Sequence, residues 1–233
     1  MNDVAKPGLA DCAKIFYAPS EVFERRRGGE WAGPFFVFVI AMVVLFLVTR
    51  GLLQPMMDAE TNRSLAKMAT DPNVTPEQIE AARGMGQKFA AVGIMVFVLV
   101  IPFLSGLVLK LVSKIAGAAV TLKQSMAVGV LSLFPMLLSS VVSGAQGAVL
   151  DESAQTGRYA FSIGPARFLD PDTTSPLMMA ITGHFDVFSL WIFFLMGLGV
   201  KVIGRTTTGT AVAVGVGMWV VSLLPSLLGG LFS

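Results

Sequence analysis

Gly183-His184-Phe185-Asp186-Val187-Phe188-Ser189-Leu190-Trp191, running on to Gly197-Leu198-Gly199-Val200-Lys201-Val202-Ile203-Gly204, is the stretch on which the reading of this chain turns. It places the only histidine of the sequence, and a carboxylate two residues on, against a long apolar run. Phe185 to Ile203 is about 28 Å long as a helix at 1.5 Å per residue, close to the roughly 30 Å of a bilayer's hydrocarbon core. An ionisable residue inside such a segment is a functional-site hypothesis, because hydrocarbon makes an unpaired charge expensive. Two placements are open. If the span begins at Phe185, Asp186 sits in its first turn at the outer interface, favoured by the helix dipole. If it begins at Leu177, His184 and Asp186 lie several turns deep and need a partner. A break at Gly183 favours the first placement.

Composition points the same way. The chain is 54% hydrophobic and 14% charged, with a mean hydropathy of +0.73, against about 25% charged residues in a soluble domain. The apolar residues are gathered into long runs, which decides for membrane spans over a globular core. One cysteine, Cys12, excludes an internal disulfide, and one histidine beside it excludes a zinc site of those ligands. No cofactor is expected. Asp3, Lys6, Asp11 and Lys14 precede any long apolar run, unlike a cleaved leader. The net charge of +2, with no basic stretch interleaved with aromatics, excludes nucleic acid as the expected partner.

Outward from the central stretch, four further spans are predicted. The first runs from about Gly33 to Leu53, with Arg50 near its far end and able to snorkel. The second covers Phe89 to Leu111, interrupted by Pro102 and closed by Lys110 and Lys114. The third reaches from Thr121 to about Leu150 with Pro135 in its middle, and the fifth from Thr210 to Leu228. The fourth occupies some part of Leu177 to Ile203. Thr75-Pro76-Glu77-Gln78 and Thr121-Leu122-Lys123-Gln124 are capping-box helix starts. The first predicts a helix running unbroken through Gln87 into the second span. Polar stretches from Pro55 to Lys88 and from Asp151 to Pro176 read as outer loops. Asn62-Arg63-Ser64 and Asn73-Val74-Thr75 match a glycosylation pattern too short to carry weight.

Before the first span, Leu9, Ala13, Phe16 and Tyr17 recur near helical spacing, with Asp11 and Lys14 opposite. With Arg25, Arg26 and Arg27 behind them, they predict an amphipathic segment at the interface whose arginines meet anionic headgroups. The same arginines anchor the first span under the positive-inside rule. The N-terminal segment and the turns at Lys110–Lys123 and Lys201–Arg205 are basic, while the outer stretches hold Asp58, Glu60, Asp71, Glu77, Glu80, Asp151, Glu152, Asp170 and Asp172. This orients the N-terminus to the cytoplasm and the C-terminus outside.

Ser125, Gly129, Ser132, Ser139, Ser143 and Gly147 fall close to one face of the third helix, and Ala211, Gly215 and Ala213, Gly217 do the same on the fifth. Small and hydroxylated stripes let helix backbones approach closely. The sharper alternative is a polar track along Ser132 and Ser139 with His184 and Asp186. No phosphate-cradling loop, metal-binding helix or serine elbow is present.

Two stretches resemble the Yip (Ypt-interacting protein) domain family in its short bacterial form. Phe16-Tyr17-Ala18-Pro19-Ser20-Glu21-Val22-Phe23 with Trp31 and Pro34 is similar to the family's entry into the first span. Phe185-Asp186-Val187-Phe188-Ser189-Leu190-Trp191 leading to Gly197-Leu198-Gly199 is similar to its fourth span. The resemblance implies five spans and a bacterial inner-membrane protein acting as a scaffold or membrane organiser, with a membrane protein or a second copy as partner. Eukaryotic members are linked to vesicle trafficking and Rab-type GTPases through long N-terminal regions, where this chain has about thirty residues. The expectation is therefore an all-α bundle of five transmembrane helices. Residues 1–32 form a cytoplasmic interfacial segment and 33–233 the membrane domain, with no enzymatic activity. A small transporter or channel component is the alternative.

Overall fold

The computed structural model describes residues 7–231. Asp3 and Lys6, cited against a leader, lie outside them. Among the described residues the regular elements are helical: α1 (Asp11–Lys14), α2 (Pro19–Arg25), α3 (Ala32–Thr49), α4 (Gln54–Met68), α5 (Pro76–Ile115), α6 (Leu122–Ser132), α7 (Pro135–Val149), α8 (Pro176–Gly183), α9 (Val187–Gly204) and α10 (Thr208–Leu231). Five segments are long and apolar enough to cross a membrane: α3, Val92–Ile115 of α5, α6 with α7, α9, and Thr208–Pro225 of α10.

The centre of the bundle is α6. Its residues from Ser125 to Ser132 are all buried, so it has no lipid-facing side, and α5, α9 and α3 pack around it. Small residues make that possible. A side chain at Gly129 would sit 2.8 Å from the backbone nitrogen of Gly106 on α5, and one at Gly199 would strike Val128 of α6 and Phe23 of α2. Packing is thus what the Gly129 end of the predicted stripe does.

The third span is not the single helix expected. Pro135 has no N–H to give, and its ring clashes with the preceding turn. Leu133, Phe134, Met136 and Leu137 instead donate to carbonyls three residues back, a tightened turn that lets Pro135 start α7 in the first helical position. The stripe is divided by this break: Ser125, Gly129 and Ser132 lie on α6, and Ser139, Ser143 and Gly147 on α7.

The stretch read as the first outer loop is a helical hairpin of α4 and the polar half of α5. Both predicted capping boxes form. Thr75 Oγ1 accepts from Gln78 N and Gln78 Oε1 from Thr75 N, and Thr121 with Gln124 repeats the pattern. From there α5 continues unbroken past Gln87 into the second span, as the sequence predicts, and Pro102 does not interrupt it: the helix runs on to Ile115. The 151–175 segment carries three short 3₁₀ turns, Glu152–Ala154, Arg158–Phe161 and Pro165–Phe168. It is tied to α4 where Arg63 donates to Asp172 (2.6 Å) and to the Thr156 carbonyl (2.9 Å), and where Glu60 accepts from Arg158 N (2.9 Å).

The N-terminal segment is helical but turned differently from the expectation. Leu9 and Tyr17 are exposed, while Asp11, Cys12 and Ile15 point inward. Asp11, read as part of a polar face, is 2% exposed. Its Oδ1 accepts from Arg25 (2.9 and 2.6 Å) and its Oδ2 from Arg26 (3.0 Å), and this pairing makes burial of the carboxylate tolerable. Arg26 also donates to the carbonyls of Glu30 and Gly8. Beneath this knot, Val22 and Phe23 are fully buried in the same apolar core as α6 and α9. The linker is pinned to α6, because Gln124 donates to the Arg27 carbonyl (2.9 Å).

Removing one member of a buried ion pair costs about 3 to 5 kcal/mol. Asp11→Ala is expected to lower thermal stability in detergent by that order. Burial also pushes the Cys12 thiol up from its ordinary value of 9.0, so the native thiol labels slowly, and Asp11→Ala is expected to speed its maleimide labelling.

The loop tether has its own pH signature. The hydrogen bond from Arg63 holds the Asp172 carboxyl below its ordinary 3.8, so the tether is at full strength above that value and weakens as pH falls through the depressed one. Spin labels at the exposed Lys67 and Phe168 are expected to give a distance distribution that broadens only at such acidic pH. In Asp172→Asn it is expected to be broad already at pH 7.

Candidate functional site

The chain between α8 and α9 gathers the titratable residues singled out from the sequence. Ser175 caps α8 through the Met178 N–H, and the helix ends at Gly183 with His184 as its C-terminal cap residue. Asp186 then caps α9, its Oδ1 accepting from Phe188 N at 2.9 Å. The helix of the fourth span therefore starts at Val187 with Asp186 as its N-cap residue, and α8 is a separate helix before it.

The other carboxylate oxygen is also occupied. Asp186 Oδ2 accepts from Ile163 N (2.7 Å) and from the Ser162 hydroxyl (3.0 Å), while Val187 N donates to the Ile163 carbonyl. One side chain thus starts a span and fastens the 151–175 segment across its end. His184 joins a second pair of elements. Its Nδ1 faces the Ala180 carbonyl (2.8 Å) and its Nε2 the Ser222 carbonyl of α10 (3.2 Å), and its own carbonyl accepts from Trp219 Nε1 (3.1 Å). A neutral imidazole donates to one of those carbonyls and an imidazolium to both.

Between these elements lies a polar cavity of about 310 Å³, lined by Ser139, Ser143, Arg158, Tyr159, Ser162, His184, Asp186 and Ser189 among others. It unites three of the four residues read as an intramembrane polar set, Ser139, His184 and Asp186. Ser132 is elsewhere, fully buried in α6, its hydroxyl without a hydrogen-bond partner among the described residues. A continuous track from Ser132 to Ser139 is absent from this cavity's lining. The carboxylate is filled by three donors, and both imidazole nitrogens are turned to backbone carbonyls. Among the described residues only the Ser162 hydroxyl of the cavity meets a base, Asp186 Oδ2, and that bond fastens the 151–175 segment.

Arg25, Arg26 and Arg27, read as headgroup contacts, divide. Arg25 and Arg26 turn inward onto Asp11, with side chains only 11% and 4% exposed. Arg27 remains partly exposed and pairs with Glu24 at 2.7 Å. Sequence reasoning missed the partners Ser162, Ile163, Trp219 and Ser222, all more than twenty residues from the groups they meet. The indole of Trp219 inside an apolar span was the available signal, since a buried N–H needs an acceptor.

The capping role of Asp186 has a direct test. Asp186→Ala is expected to lower stability by about 2 kcal/mol, through the lost cap and the two orphaned loop donors. Asn keeps one oxygen for the Phe188 cap but turns an NH2 donor to the Ile163 N–H, so Asp186→Asn is expected to recover only the cap's share, about 1 kcal/mol, of the loss. Equal losses in the two variants, measured by thermal or chemical unfolding in detergent, would mean that the cap contributes nothing and that the acceptor held out to Ile163 and Ser162 carries the effect.

Comparison with known proteins gives one family match and otherwise none: no curated protein and no solved structure matches the chain. The family model is that of the Yip1 domain, and it matches residues 13–229. The match begins within α1, takes in the buried α2 and ends in α10, so it covers both the N-terminal helices and the five spans. With five apolar spans, α3, α5 and α9 packed around the buried α6 and a family match that covers 13–229, this multi-pass membrane protein belongs to the Yip1 domain family.

Proposed function

We propose that the protein is a non-catalytic scaffold of a bacterial inner membrane, with its N-terminus in the cytoplasm and its C-terminus outside. It acts by holding a second copy of itself or another membrane protein in the plane of the bilayer. Family membership over residues 13–229 is the observation that carries this reading. The orientation rests on arginine and lysine placement. In this reading residues 1–32 are the cytoplasmic interfacial segment and 33–233 the membrane domain. Leu9 and Tyr17, exposed at 65% and 72%, enter the headgroup layer, and of the three arginines Arg27 is the most exposed toward it. Arg25 and Arg26 serve the same segment indirectly, by holding α1 against α2 through Asp11.

His184 and Asp186 are assigned to holding helix ends together, Ser139 to the wall of the polar cavity, and Ser132 to close packing in α6. The transport reading gains no support from the cavity, because its carboxylate and imidazole are hydrogen-bonded into the fold. Exposed apolar residues along α3 and α5, such as Phe36, Val48, Phe97 and Leu111, offer a lateral face to lipid or to a partner helix.

Photo-crosslinkers placed at Phe36, Val48 and Phe97 in cell membranes, together with flux measurements in proteoliposomes, test the proposal. A recurrent crosslinked membrane protein, or a crosslinked second copy, is expected, with no ion or proton flux above protein-free liposomes. Flux that disappears in Asp186→Asn, with lipid as the only crosslinked species, would overturn it in favour of transport.

A further inference from the structure

The α9–α10 hairpin carries a feature that neither the polar cavity nor the scaffold reading uses. The two helices run antiparallel from the turn at Arg205–Thr207, and a groove of about 560 Å³ opens along their outer seam. Its walls are apolar: Leu190, Phe193, Phe194 and Leu198 from α9, Val212 and Val216 from α10. The lips face outward, with Phe194, Val212 and Val216 each more than half exposed. Two ends of different chemistry bound it. At one end stands Lys201, beside Thr208. At the other Phe185 packs edge-on against Trp219, ring centroids 5.2 Å apart, and closes the groove with an aromatic wall.

From Thr208 to Trp219 the groove runs about 17 Å along α10 at 1.5 Å per residue. That is about half of a hydrocarbon core of roughly 30 Å, the depth of one leaflet. Lys201 lies in the last turn of α9, where a long side chain reaches the membrane surface. Among the described residues it forms no ion pair. An apolar slot one leaflet deep, with a cation at its surface end, matches one amphiphile: a lipid whose acyl chain fills the slot and whose anionic headgroup meets the ammonium.

We infer that the α9–α10 groove is a binding site for an anionic phospholipid, with Lys201 as its headgroup contact. A second copy of the chain fits less well. Copies in one membrane are related by an axis along its normal, so self-docking of this groove would bring Lys201 against Lys201 at the same depth. The inference stands on the hairpin geometry alone and not on the scaffold reading.

Native mass spectrometry of the full chain, released from nanodiscs of equal phosphatidylglycerol and phosphatidylcholine, tests it. The expected result is one retained phosphatidylglycerol, preferred over phosphatidylcholine. Lys201→Gln is expected to reduce that preference about fivefold, with the melting temperature unchanged. Val212→Trp, which fills the groove from an exposed position, is expected to abolish retention of either lipid. Equal retention of the two lipids by the native chain, or an unchanged preference in Lys201→Gln, would overturn the assignment. So would a dimer whose crosslinks run through Val212 with no lipid retained, which would give the groove to a second copy. Crosslinked partners elsewhere on the bundle bear on the scaffold reading and leave this result untouched.

Discussion

Every backbone group freed by a helix break inside or beside a bilayer must find a partner, because hydrocarbon supplies none. The rest of this structure depends on how that constraint is met at two places. At Leu133–Phe134 it is met by the backbone itself, in a turn tightened to three-residue hydrogen bonds ahead of Pro135. At Gly183–Asp186 it is met by side chains: Asp186 takes the first free donor of α9, and the end of α8 is closed by His184. The first break lets a buried helix pass into a more exposed one within a single crossing. The second lets a polar segment be fastened across the end of the bundle.

The arrangement follows from a graded distribution of side-chain size. Where α6 meets its neighbours, glycine replaces bulk, and α2, α6 and α9 converge on Gly199 through Phe23 and Val128. Close backbone approach increases dispersion contacts where no water is present to drive helices together. The N-terminal helices take part in this core. Their buried knot of Asp11 with Arg25 and Arg26 lies next to fully apolar packing, so the charges are satisfied locally and the surrounding residues remain free to be hydrophobic.

Much of the fold was legible because the relevant signals are local. Long apolar runs, two capping boxes, and a glycine ahead of an aspartate each report their own neighbourhood, and each corresponds to an element of the structure. The N-terminal face was misread for a physical reason. Periodicity sorts residues by polarity, and a carboxylate held by two guanidiniums counts as buried despite its charge. The 55–74 stretch looked like a loop because it lacks a long apolar run, although its Met, Ala, Glu, Leu and Lys residues are good helix formers and Pro55 sits in the first turn of α4. In the candidate site, Asp186 and His184 stood out as rare ionisable groups. Their partners did not, because Ile163 N–H and the Ser222 carbonyl are backbone groups that no residue identity marks.

The continuity of α5 gives the molecule a mechanical property. From Pro76 to Ile115 it is one α-helix of about 60 Å at 1.5 Å per residue, half in the polar hairpin with α4 and half in the apolar bundle. Such a rod is a lever. A tilt imposed on its polar arm reaches the arm that lies against α6 only through the turn at Pro102. Pro102, which lacks the N–H that would brace its turn, is where the rod is softest. The compliance of the rod is therefore concentrated at a single position within the second span.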